Sequence, residues 1–216
     1  MNYFNNTYIF DFDGTIADTF PFFVEIASQM LLNTGRKATK KDIELFRTTP
    51  IKELIKIYKL PLYKIPLFVL KGQQILSEKL DEIKIFPGIK EVLIRLKNRG
   101  VQLGMITSNN SKNVVYILQK YGLEKLFDFV HFQAAVFGKD KVLTNVIKKY
   151  KLNIKSVIYV GDEVRDIEAC KKINLKVIAV SWGYNDKKLL KESQPQFIIA
   201  KPSDILGSLF FELVEK

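Results

Sequence analysis

Short apolar runs that stop abruptly at polar residues, each followed by a stretch of helical period, constrain this chain more than any other feature. Tyr8-Ile9-Phe10 stops at Asp11, the run from Val101 to Ile106 at Thr107, and the run from Val157 to Val160 at Gly161-Asp162. Val177 to Val180 repeats the pattern, Phe129 to Phe132 is a shorter run, and Phe197-Ile198-Ile199 is a weaker last one. Between them, Ile89 to Asn98, Ser111 to Tyr121, Asp140 to Tyr150 and Arg165 to Ile173 carry helical spacing, and a final helix is expected from Ser203 to Val214. Strands alternating with helices predict an α/β fold with a Rossmann-like parallel sheet core covered on both faces. Sheets of that kind bind ligands at the carboxyl ends of their strands.

One region departs from the alternation. From Asp18 to about Leu32 the spacing is helical, with Gly35 as a stop, and residues 39–83 continue in helical pieces broken by Pro50, Pro61 and Pro66. No strand is expected there. The stretch is too long for a loop, so it is expected to form an inserted all-helical cap domain over residues 16–83. The catalytic core would then comprise residues 1–15 and 84–216. A chain of 216 residues accommodates one domain with a smaller insert.

The formal charge is +11, but the lysines are scattered, in pairs such as Lys40-Lys41 and Lys148-Lys149 within helix-like segments. Solvated helix faces explain them better than a binding stripe, so no nucleic acid partner is expected. Nor is a membrane, because no apolar run approaches the roughly 18 to 20 residues needed to cross one. Met1 to Asn6 lacks the basic start and apolar run of a signal peptide, and Cys170 is the single cysteine. Both fit a cytoplasmic protein.

The strand ends carry the chemistry. Asp11-Phe12-Asp13-Gly14-Thr15 places two carboxylates in one loop mouth, where Gly14 permits the bend. Such a pair is costly unless a cation or a shared proton relieves it, and Mg²⁺ would do so. Gly161-Asp162-Glu163-Val164-Arg165-Asp166 supplies Asp162 at a strand end and Asp166 one helical turn on, on the same face. Thr107-Ser108-Asn109 offers hydroxyls and an amide suited to phosphoryl oxygens, and Lys139 an ammonium that could offset charge. Each segment alone also reads as helix capping or solvated surface. Together they are stronger, because a parallel sheet gathers its strand ends at one edge.

In this order and spacing, and with Phe86-Pro87-Gly88-Ile89 between them, these segments resemble the haloacid dehalogenase-like hydrolases, specifically the phosphoglycolate phosphatase-like members with a helical cap. The resemblance spans nearly the whole chain. It implies a Mg²⁺-dependent phosphatase acting on a small phosphorylated metabolite, such as phosphoglycolate, a sugar phosphate or a nucleotide. Asp11 would be the nucleophile that forms an aspartyl-phosphate, and Asp13 the acid and then the base. The Asp11 side chain, the Asp13 backbone carbonyl and Asp162 would hold the metal, with Asp166 in support. Thr107, Ser108, Asn109 and the backbone amide near Phe12 would hold the phosphoryl group, and Lys139 would orient Asp11, with Lys141 as its substitute. Asp13 favours phosphoryl transfer over dehalogenation, since a halide needs no proton to leave. Alternatives within the same resemblance are a phosphomutase and a non-catalytic binding protein.

Other residues carry weaker expectations. Asp18 reads as a cap of the first helix, His131 as structural, and Cys170 as core packing. Trp182-Gly183-Tyr184 could wall the site. Glu25, Arg36, Arg47 and Lys52 are the polar anchors the insert could offer a substrate.

Overall fold

The computed structural model describes residues 6–32, 35–133 and 138–207. In chain order it contains β1 (Thr7–Phe10), β2 (Ala17–Asp18), α1 (Phe20–Leu32), α2 (Lys40–Thr48), α3 (Ile51–Ile57), α4 (Ile65–Glu78), β3 (Lys84–Ile85), α5 (Ile89–Asn98) and β4 (Gln102–Thr107). Then follow α6 (Ser111–Lys120), β5 (Phe129–Phe132), α7 (Lys139–Lys149), β6 (Val157–Gly161), α8 (Val164–Lys172), β7 (Lys176–Val180), α9 (Lys187–Glu192) and β8 (Phe197–Ile199).

Six strands form one sheet in the order β5-β4-β1-β6-β7-β8, with every pair parallel. The alternation of side chains along β1 explains why its run is wholly apolar. Tyr8 and Phe10 enter the core on one face with α5 and α6, and Ile9 enters the core on the other with α7 and α8. Central β1 therefore pairs with β4 on one side and β6 on the other, which sets the carboxyl ends of all three side by side. Gly104 of β4 is required by this packing, since a Cβ there would overlap the ring of Phe129.

The helices α1 to α4 lie outside the sheet as an insert between β1 and α5, with a small core of their own built on Phe20, Leu31, Phe46 and Leu54. At its base is a feature the sequence reading missed. Ala17 pairs with Ile85 and Asp18 with Lys84 in an antiparallel ribbon of two residues per strand. Strands so short carry no period, so nothing in the pattern announces them. Asp18 consequently sits in β2, and Thr19 is the residue that precedes α1. Of the expected Ser203–Val214 helix, the described residues contain a 3₁₀ turn, Pro202–Asp204, and helix as far as Gly207; the rest lies outside them.

The start of α2 is fixed by a reciprocal cap. The Asp42 N–H donates to Thr39 Oγ1 at 3.3 Å, and the Thr39 N–H donates to Asp42 Oδ2 at 2.8 Å. Tyr58 also donates to Asp42 Oδ1 at 2.7 Å, and Arg36 pairs with the same carboxylate. The hydrogen bond from the Thr39 side chain, with Tyr58 and Arg36 adding to it, holds the Asp42 carboxyl well below its ordinary range against the cost of burial. A depressed carboxylate stabilises the fold above its unfolded pKa, near ~4, and that contribution is lost as the pH falls below it. Asp42→Asn is therefore expected to lower stability by about 1–2 kcal/mol at neutral pH, with a smaller difference in acid, as measured by urea titration at both pH values.

Candidate active site

The site is assembled at the carboxyl edge of the sheet. Asp11 follows β1, Thr107 ends β4 and Asp162 follows β6, and the turn after β1 closes against the turn after β6 through Gly14. This glycine has φ +75°, and a Cβ on it would overlap the Asp162 carboxylate. Asp162 is held on both oxygens: Thr15 Oγ1 donates to Oδ1 at 2.8 Å and the Tyr184 N–H donates to Oδ2 at 2.7 Å. Trp182 Nε1 donates to the Thr15 carbonyl at 3.2 Å, and the Tyr184 hydroxyl bonds Thr19 Oγ1 at 3.0 Å. The Trp182-Gly183-Tyr184 segment thus braces the floor of the site.

Asp11, Asp162 and Asp166 form a buried cluster in which one oxygen of each lies within 4.8 Å of the others. Lys139, the first residue of α7, donates to Asp11 Oδ2 at 2.5 Å and also pairs with Asp166. Burial works against its ammonium, but Asp11 and then Asp166 outweigh that and hold it well above the ordinary lysine range. Lys141, two residues on, is exposed, and Lys139 is the lysine in contact with the cluster. Three buried carboxylates against one ammonium leave an excess of negative charge. The strain is visible at Asp162, whose carboxyl is driven well above its normal range by burial first, then by Glu163, Asp166 and Asp11. An all-oxygen, carboxylate-rich cluster with this charge fits a hard divalent cation.

Asp13 stands beside the cluster, not in it. Asn109 Nδ2 donates to its two oxygens at 3.0 and 3.2 Å. Burial, and next the negative charge of Asp11, push its carboxyl up to about 6. A carboxyl tuned near neutrality can both give and take a proton. Thr107 is buried, and its Oγ1 accepts the Asn109 N–H at 2.9 Å. The Phe12 N–H donates to Asp11 Oδ1 at 2.8 Å. Both backbone amides thus donate to side chains of the loops that carry the site. Ser108 lines the space above Asp13, and its carbonyl accepts from Gln73 Nε2 of α4 at 2.8 Å.

Arg165 went unnoticed in the sequence. It lines both the large cavity beside Asp13 and a small recess beside Thr107 and Lys139, and its Nε donates to Glu163 Oε1 at 2.8 Å. The available signal was a cation in the first turn of a helix, where the dipole disfavours positive charge. Each of the expected anchors of the insert has a protein partner. Glu25 pairs with Lys79, Arg36 with Asp42, and Lys52 with Glu168. Arg47 donates to the Gly183 carbonyl at 2.8 Å and covers the Phe20 ring. His131 lies on β5 with its Nε2 3.2 Å from Gln133 Oε1, away from the cluster, and the Cys170 thiol is buried in the core with its pKa raised by that burial.

A parallel sheet presenting a buried carboxylate cluster and a lysine beneath a helical insert defines a class of α/β hydrolytic enzymes. The model of the haloacid dehalogenase-like hydrolases matches residues 8–180, and the chain belongs to that family. It is 31% identical over 202 residues to a phosphoglycolate phosphatase of Synechococcus elongatus, covering 93% of this chain and 95% of that protein. A phosphoglycolate phosphatase of Pasteurella multocida is 30% identical, over 58% of this chain and 57% of that one. Among solved structures, a haloacid dehalogenase-like family hydrolase of Streptococcus pneumoniae superposes with TM-score 0.78 at 21% identity, over 97% of this chain and all of that one, a likeness of fold. No described helix is long and apolar enough to cross a membrane.

Proposed function

We propose that the chain is a phosphatase of phosphate monoesters that works through an aspartyl-phosphate on Asp11, in the manner of the phosphoglycolate phosphatases it resembles. The observation that carries this is the pairing of Asp11 with Lys139 at 2.5 Å beside an Asp13 carboxyl tuned to about 6. An Asp11 oxygen attacks phosphorus and the bond to the leaving oxygen breaks. Asp13 gives that oxygen its proton. Asp13, now ionised, then takes a proton from the water that attacks the phosphorus of the acyl phosphate, which frees phosphate and restores Asp11. Lys139 holds Asp11 in line and offsets charge, and the Thr107 hydroxyl steadies a phosphoryl oxygen. Asp11, Asp162 and the Asp13 carbonyl would hold Mg²⁺, with Asp166 behind them, and the ion would supply positive charge to the phosphoryl oxygens.

In this reading residues 16–83 act as the cap that covers the substrate, and residues 1–15 and 84–216 as the catalytic core. A single buried cysteine suits a reducing compartment such as the cytoplasm. Hydrolysis of p-nitrophenyl phosphate with Mg²⁺, abolished by EDTA, is the direct test; activity undiminished by EDTA would refute the metal assignment, and none with Mg²⁺ the enzyme. Asp13→Asn is expected to lower kcat by on the order of 10²- to 10⁴-fold. The loss should shrink with a good leaving group such as p-nitrophenolate, which needs less protonation. Equal loss for alkyl and nitrophenyl esters would argue against Asp13 as the acid.

A further inference from the structure

A cavity of about 510 Å³ separates the helical insert from the core, with Asp13, Ser108 and Asn109 at its floor. Its walls are mainly apolar on the side of the insert, where Phe23, Met30, Phe46, Leu54, Phe68 and Val69 are representative. That volume falls in the range of about 300–1,000 Å³ that holds a ligand much larger than a two-carbon acid. The charged side chains that reach it are nearly all spent. Arg165 is paired with Glu163, Arg36 is paired with Asp42, and Lys59 is exposed beyond the end of α3. Among the described lining residues, Arg165 and Arg36 are each already balanced by a carboxylate, which leaves no unpaired buried cation for a second anionic group on the substrate. A carboxylate carried into such walls loses its hydration without a partner, whereas an alkyl or aryl group gains by leaving water.

We propose that the leaving group this site accepts is an apolar alcohol: the substrate class is the phosphate monoester of a hydrophobic alkyl or aryl alcohol, with its phosphate at Asp11 and its apolar body in the cap cavity. The inference rests on the phosphatase reading and specifies only the part of the ester that departs. Phosphoryl transfer and hydrolysis are as described above, and the alcohol leaves with the proton from Asp13.

The n-alkyl phosphates separate cavity fit from chemistry, because their leaving alcohols differ little in acidity. With the full chain and Mg²⁺, kcat/KM is expected to rise from ethyl to n-hexyl phosphate by on the order of 10- to 100-fold, the gain from burying about 100 Å² of alkyl surface. The n-hexyl ester should also exceed 2-phosphoglycolate. Val69→Trp, which fills the cavity from α4, is expected to cut the hexyl-to-ethyl ratio by about fivefold or more, as lost burial requires. Met30→Trp makes the same test from α1 should the first variant fail to fold. A ratio near unity in the unmodified protein, or a preference for 2-phosphoglycolate, overturns the proposal while leaving the phosphatase reading standing. No hydrolysis of any ester, p-nitrophenyl phosphate included, removes both.

Discussion

Asp11→Asn is expected to reduce kcat by about 10⁴-fold or more, the scale seen when a covalent nucleophile is removed. An amide oxygen is a poor nucleophile toward phosphorus and would not form the acyl phosphate on which the reaction depends. The substitution is nearly isosteric. The oxygen of the introduced amide could still accept the Phe12 N–H, which now donates to Asp11 Oδ1 at 2.8 Å, and Lys139 would keep Asp166 as its partner. The fold should therefore survive, and circular dichroism should be unchanged. The same variant supplies a second readout. Acid-quenched wild-type enzyme should retain a hydroxylamine-labile phosphate on the chain during turnover, and Asp11→Asn should retain none. Residual kcat within about tenfold of wild type would contradict a nucleophile role, because removing a covalent nucleophile costs far more than that.

Asp11 and Asp162 were legible because each follows an apolar run, and parallel pairing of those runs forces their ends together. Asp166 was legible because one helical turn returns it to the same face, where Lys139 meets it. The choice between Lys139 and Lys141 was not, since it depends on where α7 begins. Gly138, at φ +77°, turns the chain so that Lys139 is the first helical residue, and that turn lies in backbone geometry. The ribbon of β2 and β3 was invisible for want of a period. The partners of the anchors assigned to the insert were hidden for a different reason. A basic residue looks free until its partner is located, and the acceptors for Arg47 and Lys52 lie more than a hundred residues away, at Gly183 and Glu168. Arg165 was missed because its motif drew attention to acids alone. The cavity was illegible as such, being a space that α1, α3 and α4 create only once packed.

Removal of Mg²⁺ should destabilise the protein as well as silence it, and the two effects should share one residue. Among the described residues, Lys139 is the one cation paired directly with the cluster of Asp11, Asp162 and Asp166, and burial together with the neighbouring carboxylates raises the Asp162 carboxyl. A cation that binds the folded chain and not the unfolded one stabilises it by mass action. At about a hundredfold excess over Kd this amounts to about 2.7 kcal/mol, or roughly 5–10 °C in Tm for a domain of this size. EDTA should therefore lower Tm by that amount and abolish turnover, and both should return on adding Mg²⁺. Asp162→Asn replaces one of the ligand oxygens with an amide nitrogen while keeping the side chain's volume and the Thr15 hydrogen bond, now at 2.8 Å. Its Tm in EDTA should stay near that of the wild type in EDTA, because the lost Tyr184 contact is set against relief of like-charge repulsion. What it should lose is the increment that Mg²⁺ confers, together with activity. An undiminished increment in this variant would place the ion elsewhere, and a wild-type Tm indifferent to EDTA would mean that the buried charges are balanced without it.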